Sequence, residues 1–197
     1  MMKKTMLVFG ILGCFIQGIY GQDSHKSQNS YGILFMAGGR YDNYRMCVAS
    51  PAGVKGGAMA DIMFITKHRL NDNRSLTFNL PVMRPVLFGL AFKMLQFEPE
   101  MTLECNKLIS ERINLVTGPG IGISFHYGPD YTSDPDNRGP SFFAMGPLFS
   151  WQTGIAFKKE GVVKSVVGLK AFYVPLFAKD RSPGTVLGGA LLYTYCF

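Results

Sequence analysis

Nine ionisable side chains at predicted inward positions are the candidates for a binding or catalytic site: four acids, four bases and one histidine. They are Asp61, Glu98, Glu100, Glu104, Arg40, Lys67, Lys164, Lys170 and His126. Facing one another in a confined space, they would form either a polar gate and binding patch for a small solute or a structural ion-pair network. We favour the structural network, because charges removed from water are stable only when they are paired and hydrogen-bonded.

Catalytic and metal-binding spacings do not accompany these residues. Ser124 and His126 occur in the order Ser-x-His, the reverse of the order in the lipid A deacylases that use such a pair. Glu98 and Glu100 are neighbours on one predicted strand, which does not place them across a sugar bond. The cysteines form no CxxC pair. The aspartates within the predicted loop 128–140 lack the spacing of a calcium loop. We therefore expect no enzyme, no cofactor and no metal site.

The polar residues lie in segments whose side chains alternate between bulky and small, which is the period of a β-strand. In residues 143–157, bulky residues predominate at odd positions, and Ala, Gly, Ser and Gln at even ones. The same alternation runs through 113–127, 97–105 and 187–197. Weaker alternation covers 31–41, 57–67, 75–82 and 162–177. The sequence therefore predicts eight strands.

Two kinds of exported protein have this pattern: a soluble barrel with its bulky face inward, and a transmembrane barrel with that face toward lipid. The opposite face here is dominated by Gly, Ala and Ser, as a narrow barrel interior requires. Aromatic residues gather at strand ends, where the membrane interfaces would lie. We predict an all-β, eight-stranded antiparallel transmembrane β-barrel, with the apolar residues forming a lipid-facing belt in place of a core.

Two features complicate this assignment. Residues 83–95 form either a short helix near residues 85–95, with Pro85 in its first turn, or an inward-facing extension of the fourth strand. We favour the helix, because this apolar run lacks clean alternation. Four prolines fall inside predicted strands and must lie at bulges or strand ends, unless the strands are shifted there. They are Pro99, Pro119, Pro147 and Pro175.

The first 21 residues have the layout of a secretory signal peptide, with Lys3 and Lys4, an apolar run, and Gly21 before a polar stretch. We expect a signal peptide at 1–21, a short tether at 22–30 and the barrel at 31–197. An uncleaved membrane helix and lipoprotein processing at Cys14 are the alternatives. The chain of 197 residues has a net charge of +7. Without a basic run, this surplus does not indicate a nucleic-acid partner.

The end of the chain carries the most specific signal. Tyr193, Tyr195 and Phe197 look like the C-terminal aromatic signal that barrel-assembly machinery reads, although Leu192 stands where its commonest form has Gly. With these features the chain resembles the small eight-stranded outer-membrane proteins, a group that includes OmpW, OmpX and the transmembrane part of OmpA. The resemblance implies the outer membrane of a diderm bacterium, with outer-membrane lipid and the assembly machinery as partners.

Two functions are compatible with this resemblance. One is a narrow channel for small molecules, including hydrophobic ones. The other is a surface-exposed structural or interaction protein that contacts a host or surface ligand. A periplasmic soluble lipid- or ligand-binding barrel is the alternative from a different class, and it would be soluble without detergent.

Overall fold

The computed structural model describes residues 29–46, 54–89, 94–131 and 139–197. The predicted signal peptide, nearly all of the tether, Cys47, Leu90 and Phe92 lie outside the described residues. The strands are β1 (Asn29–Asp42), β2 (Gly56–Asn71), β3 (Arg74–Pro81), β4 (Leu95–Phe97), β5 (Glu100–Ser110), β6 (Ile113–Asp130), β7 (Gly139–Lys159), β8 (Val162–Ala178) and β9 (Gly184–Cys196), with one helix, α1 (Met83–Gly89).

The strands form a closed antiparallel barrel. β1 pairs with both β2 and β9, and β6 pairs with both β5 and β7, so the sheet closes on itself. β4 and β5 both pair with β6 and together fill one position of the ring. The ring therefore has eight positions, which confirms the predicted fold class.

The two faces of the wall differ as the alternation predicts. On β7, Phe149 and Trp151 point outward and are 46% and 55% exposed, whereas Ala144, Leu148 and Ala156 point inward and are buried. Outward residues on β9, such as Leu191 and Tyr193, are exposed in the same way. No helix in the described part of the chain is long and apolar enough to cross a membrane.

The expectation of a lipid-facing belt in place of a core is wrong, because the described residues form a buried apolar cluster as well as an apolar outer face. An apolar cluster fills part of the interior, with Leu34 and Met36 from β1, Met63 from β2, and Val174 and Leu176 from β8 among its members. These strands carry large apolar side chains on both faces. That is why their alternation is weak in the sequence.

Connections at the two ends of the barrel differ in length. At one end, β2–β3, β5–β6 and β7–β8 are joined by the two-residue turns 72–73, 111–112 and 160–161. We call this the turn end. At the other, the loop end, the connections span 43–55, 82–94, 131–138 and 179–183.

The strand prolines lie at interruptions of the hydrogen-bonded ladders. Pro99 separates β4 from β5. Pro119 falls where the β5–β6 register skips from Thr102 to Cys105. Pro147 and Pro175 fall where the β7–β8 register skips from Met145 to Phe149. Because no ladder bond is required of proline there, the sheet keeps its closed form around them.

α1 takes the place of a strand in one part of the wall. β3 ends at Pro81, which pairs with Met63, whereas β2 continues to Gly56 at the loop end. The predicted helix is thus present at 83–89, although the chain is again a strand from Leu95. Pro85 lies in the first turn of the helix, where its missing N–H removes no helical hydrogen bond. Extension of the fourth strand through 83–89 is excluded.

Candidate functional site

The candidate site is a chain of polar side chains inside the barrel, arranged in three clusters from the loop end to the turn end. The loop-side cluster contains Arg40, Asp42, Asp61, Arg84, Gln96, Glu98, Ser124 and His126. The middle cluster contains Glu100, Ser150 and Lys170, and the turn-side cluster contains Lys67, Ser75, Glu104 and Gln152. Eight of the nine residues predicted from the sequence belong to these clusters.

Glu98 is the centre of the loop-side cluster. Its Oε2 lies 2.7 Å from Arg84 Nη1, and its Oε1 lies 3.6 Å from Arg40 Nη2. The same Oε1 accepts a hydrogen bond from Ser124 Oγ at 2.9 Å and lies 3.3 Å from His126 Nε2. All of these residues are nearly inaccessible to solvent. Such dense pairing is what a buried carboxylate needs in order to stay charged.

Arg84 connects two elements through this cluster. Its Nε lies 3.1 Å from Asp61 Oδ2 on β2, while its Nη1 reaches Glu98 next to β4. Gln96 adds a second link, since its Oε1 accepts from Arg40 Nη1 at 3.0 Å and its amide donates to the carbonyl of Met46. Asp42 in turn accepts from the backbone N–H groups of Tyr44 and Met46 at 2.9 and 3.2 Å.

Arg84, Gln96 and Asp42 were not predicted as site residues. Arg84 lies on a helix, and its partners come from β2 and from the residue after β4, so no spacing in the sequence connects it to them. Its one available signal was a charge within an otherwise apolar run, since such a charge needs a partner when buried.

The middle cluster is an ion pair between Lys170 of β8 and Glu100 of β5, with the hydroxyl of Ser150 donating to the same carboxylate. Gly120 on β6 makes room for it. A Cβ at Gly120 would overlap both the Glu100 carboxylate and the Ser150 hydroxyl. The absence of a side chain at Gly120 therefore creates space for the Glu100 carboxylate and the Ser150 hydroxyl.

The turn-side cluster joins Lys67 and Glu104 at 2.5 Å. Glu104 also accepts from Ser75 Oγ at 3.2 Å and from Gln152 Nε2 at 3.1 Å. Lys164 does not join a cluster: it is half-buried near the turn end, where it interacts electrostatically with the Cys196 thiol. In the part of the chain that the structure describes, no ion pair includes Lys164.

Ser124 and His126 do not form a nucleophile and base. Both are directed to Glu98, and both side chains are fully buried. A nucleophile needs a base within hydrogen-bond reach and a position for substrate beside it. The pair instead serves the charge network. Among the described residues, no group of three or more His, Cys, Asp or Glu side chains is arranged to hold a metal ion.

Solvent enters the barrel from the turn end. A cavity of about 240 Å³ opens there, lined by residues that include Arg74, Asn114 and Lys158. Lys67 and Cys196 also line a smaller space of about 30 Å³ farther in. Closer to the loop end, Glu100, Lys170, Glu98 and His126 are each at most 5% exposed. The polar clusters therefore fill the lumen rather than surround a passage.

Side chains also join three of the loop-end connections to one another. Tyr44 Oη donates to the carbonyl of Ser182 at 2.6 Å, and Arg45 Nη1 donates to the carbonyl of Tyr131 at 3.0 Å. Arg181 lies 2.6 Å from Asp130 Oδ2 and its guanidinium stacks 3.9 Å from the ring of Phe142. Burial raises the pKa of the Tyr44 phenol, so the group remains a hydrogen-bond donor to a higher pH than a solvent-exposed tyrosine does.

Comparison with known proteins gives a likeness in fold. No protein-family model and no curated protein sequence matches the chain. Among solved structures, Neisserial surface protein A aligns with a TM-score of 0.51 at 9% identity, covering 86% of this chain and 99% of that one. This match shows a shared barrel fold.

Two other structures align with lower scores. Ail, the attachment invasion locus protein of Yersinia pestis, has a TM-score of 0.38 at 14% identity, covering 88% of this chain and 100% of that one. The N-terminal β-barrel domain of Pseudomonas aeruginosa OprF has the same TM-score at 10% identity, covering 86% and 100%.

Proposed function

We propose that this chain is an outer-membrane β-barrel that acts at the cell surface as a structural or interaction protein, with a lumen closed to solutes. The observation that carries the proposal is the combination of an apolar outer face with an interior whose buried glutamates each pair with a cation. Of the two functions considered for the sequence, this geometry favours the surface protein over the channel.

The outer face supports placement in a membrane. Large apolar side chains on β1, β6, β7, β8 and β9 are about half exposed, among them Phe35, Ile121, Trp151, Leu169 and Leu191. A soluble barrel would leave this continuous apolar surface in water, which monomeric soluble proteins avoid. In a bilayer the same surface contacts lipid tails, and the ladders close the sheet on itself except in the interval next to α1.

The orientation follows from the connections. Outer-membrane barrels have short periplasmic turns and longer extracellular loops. The turn end therefore faces the periplasm, and the loop end faces the outside of the cell. Cleavage of a signal peptide at residue 21 belongs to the same proposal, as does reading of Tyr193, Tyr195 and Phe197 by the assembly machinery.

The loop end is the interaction surface in this proposal. Its connections are joined by the Tyr44–Ser182, Arg45–Tyr131 and Arg181–Asp130 contacts. Loops on a rigid scaffold are a common place for binding. A ligand on the host or on another cell surface is the class of partner that such a surface would meet.

A conductance measurement distinguishes the proposed surface protein from a channel. Purified protein refolded into planar bilayers should show no discrete current steps, because the Glu100–Lys170 and Glu98–Arg84 pairs occupy the lumen. Heat-modifiable migration on gels should confirm that the inserted protein is folded. Reproducible current steps from the folded protein would exclude the closed lumen.

A further inference from the structure

Among the described residues, the sheet of the barrel wall is interrupted in one place. Toward the loop end from Met63, β2 has its ladder with β1, while its ladder with β3 has ended at Pro81. On the other side of this interval, β4 is only three residues long and pairs with β6. Among the described residues, α1 is the element that stands between β2 and β4.

Ion pairs between side chains, rather than a strand ladder, connect α1 to β2 on one side and to the β4 region on the other. Arg84 points into the barrel and is 1% exposed. It pairs with Asp61 on the β2 border at 3.1 Å and with Glu98 on the β4 border at 2.7 Å. One backbone contact accompanies these pairs, from the N–H of Val82 to the carbonyl of Ile62 at 2.9 Å.

The outer side of α1 is apolar. Val82 and Val86 are 43% and 53% exposed, and they lie on the same side of the wall as the lipid-facing residues Ile62 and Phe64 of β2. In the proposed membrane, the outer surface of α1 is therefore in contact with lipid tails. A polar solute would have no path to this part of the wall.

Methionines lie on the inward faces of the strands beside α1, next to the Arg84–Asp61 pair. Met59 and Met63 flank Asp61 on β2, Met36 is the register partner of Asp61 on β1, and Met94 directly precedes β4. Together with Met46 they belong to or pack against the buried apolar cluster, and we call these five residues the methionine cluster. Unbranched, flexible methionine side chains rearrange readily around apolar groups of different shape.

We propose that α1 is a side gate in the barrel wall, held shut by Arg84, through which the acyl chain of a membrane lipid reaches the methionine cluster. The inference rests on the proposed membrane placement. The other routes to this part of the lumen are filled, by the joined loop connections at one end and by the Glu100–Lys170 pair at the other. An acyl chain matches the lipid-facing valines outside and the methionines that flank the Arg84–Asp61 pair inside.

A photo-reactive lipid tests the gate directly. Full-length protein is reconstituted in vesicles containing a phosphatidylethanolamine with a diazirine in its acyl chain, irradiated, and the labelled residues are mapped by mass spectrometry. In the native protein, label should fall on the outward residues Ile62 and Phe64. In Arg84→Met, label on the inward residues Met59 and Met63 should rise several-fold.

Lys170→Met is the matched control, because it breaks a buried ion pair where the wall is a continuous ladder with β7 and β9, so that it opens the lumen toward the water-filled turn end and not toward lipid. Label on Met59 and Met63 should stay at the native level in this variant. Asp61→Asn provides a second test, since it removes one of the two borders that Arg84 fastens while keeping Glu98 in place. Heat-modifiable migration identifies the variants that are folded.

Three outcomes are distinguishable. Inward label that rises in folded Arg84→Met or Asp61→Asn, and not in Lys170→Met, supports the gate. Native-level inward label in folded Arg84→Met and Asp61→Asn overturns the gate while leaving the membrane placement intact. Absence of label from Ile62 and Phe64 in the native protein overturns the membrane placement itself.

Discussion

At the scale of single residues, the interior of the barrel is determined by where charged side chains can be accommodated and paired. Glu98, Glu100 and Glu104 extend inward from even positions of β5 and of the residues before it. Each meets a cation from a different strand or from α1, namely Arg84, Lys170 and Lys67. A lone buried charge is far more costly than a paired one, so each of these glutamates requires a cation at the position opposite it.

Gly120→Ala tests whether that space is required. The added methyl group would overlap the Glu100 carboxylate and the Ser150 hydroxyl. We expect the free energy of unfolding in detergent, measured by urea titration, to fall by about 1–3 kcal/mol, as for other overpacked sites. Gly39→Ala is the control, because the nearest atom to its added Cβ is a carbonyl oxygen at 3.7 Å. Equal losses in the two variants would contradict the account.

Lys170→Met should leave the Glu100 carboxylate buried without its cation. The expected loss is about 3–5 kcal/mol in the free energy of unfolding, the usual result of removing one partner of a buried pair. Adding Glu100→Gln should recover part of that loss, since the uncompensated charge is then gone. If the double variant is no more stable than Lys170→Met, the pair does not govern stability at this position.

Tyr44 provides a pH-dependent contact at the loop end. Burial raises the pKa of its phenol above the ordinary value of about 10. The neutral form is therefore favoured in the folded protein, so its stabilising effect is complete below the unfolded pKa and is lost as the pH rises through the folded one. Tyr44→Phe should cost about 1 kcal/mol at pH 8 and flatten the decline above pH 10, as measured by thermal unfolding across that range. An unchanged alkaline profile would contradict this role.

At the scale of elements, the sequence predicted the strands far better than it predicted the interior. The eight strand positions follow from period-two alternation, which is strong wherever one face is bulky and the other small. On β1, β2 and β8 large apolar residues such as Met36, Met63 and Val174 also point inward. That apolar interior could not be predicted, because alternation does not show which of two apolar faces lies inside.

The residues of the candidate site could also be predicted only in part. Eight of the nine predicted side chains meet in clusters, because an inward position on a strand follows from its register. Arg84 could not be predicted, since a helix inserted into the wall obeys a different period. Lys164 is inward as expected, yet it lies near the turn end, where water can solvate it without an ion pair.

The proline positions yield a prediction at this scale. Pro147 lies where the β7–β8 ladder is interrupted, whereas Ile155 on the same strand pairs with both Leu115 and Val167. Pro147→Ala should therefore change the folding yield little. Ile155→Pro removes a ladder bond from a closed sheet and should cost about 3 kcal/mol or prevent folding. Heat-modifiable migration after refolding measures both, and a well-folded Ile155→Pro barrel would contradict the assigned register.

At the scale of the whole molecule, the outer and inner faces of the barrel wall have different roles. The outer face supplies apolar contact along the barrel, and the inner face combines an apolar cluster with paired charges. This arrangement explains how a chain that is 47% hydrophobic and only 17% charged can be a barrel rather than a helical membrane protein. It also explains why the net charge of +7 does not indicate a polyanion partner, since several of the basic residues pair inside the barrel.

The most direct measurement of the central claim is a nitroxide scan along residues 148–157 of β7 in reconstituted bilayers. The account predicts a period of two, with labels at Phe149, Trp151, Thr153, Ile155 and Phe157 accessible to oxygen dissolved in lipid and protected from a water-soluble nickel complex. Labels at the intervening inward positions should be protected from oxygen. Ready access of the nickel complex to all the outward positions would place them in water and contradict a membrane-spanning barrel.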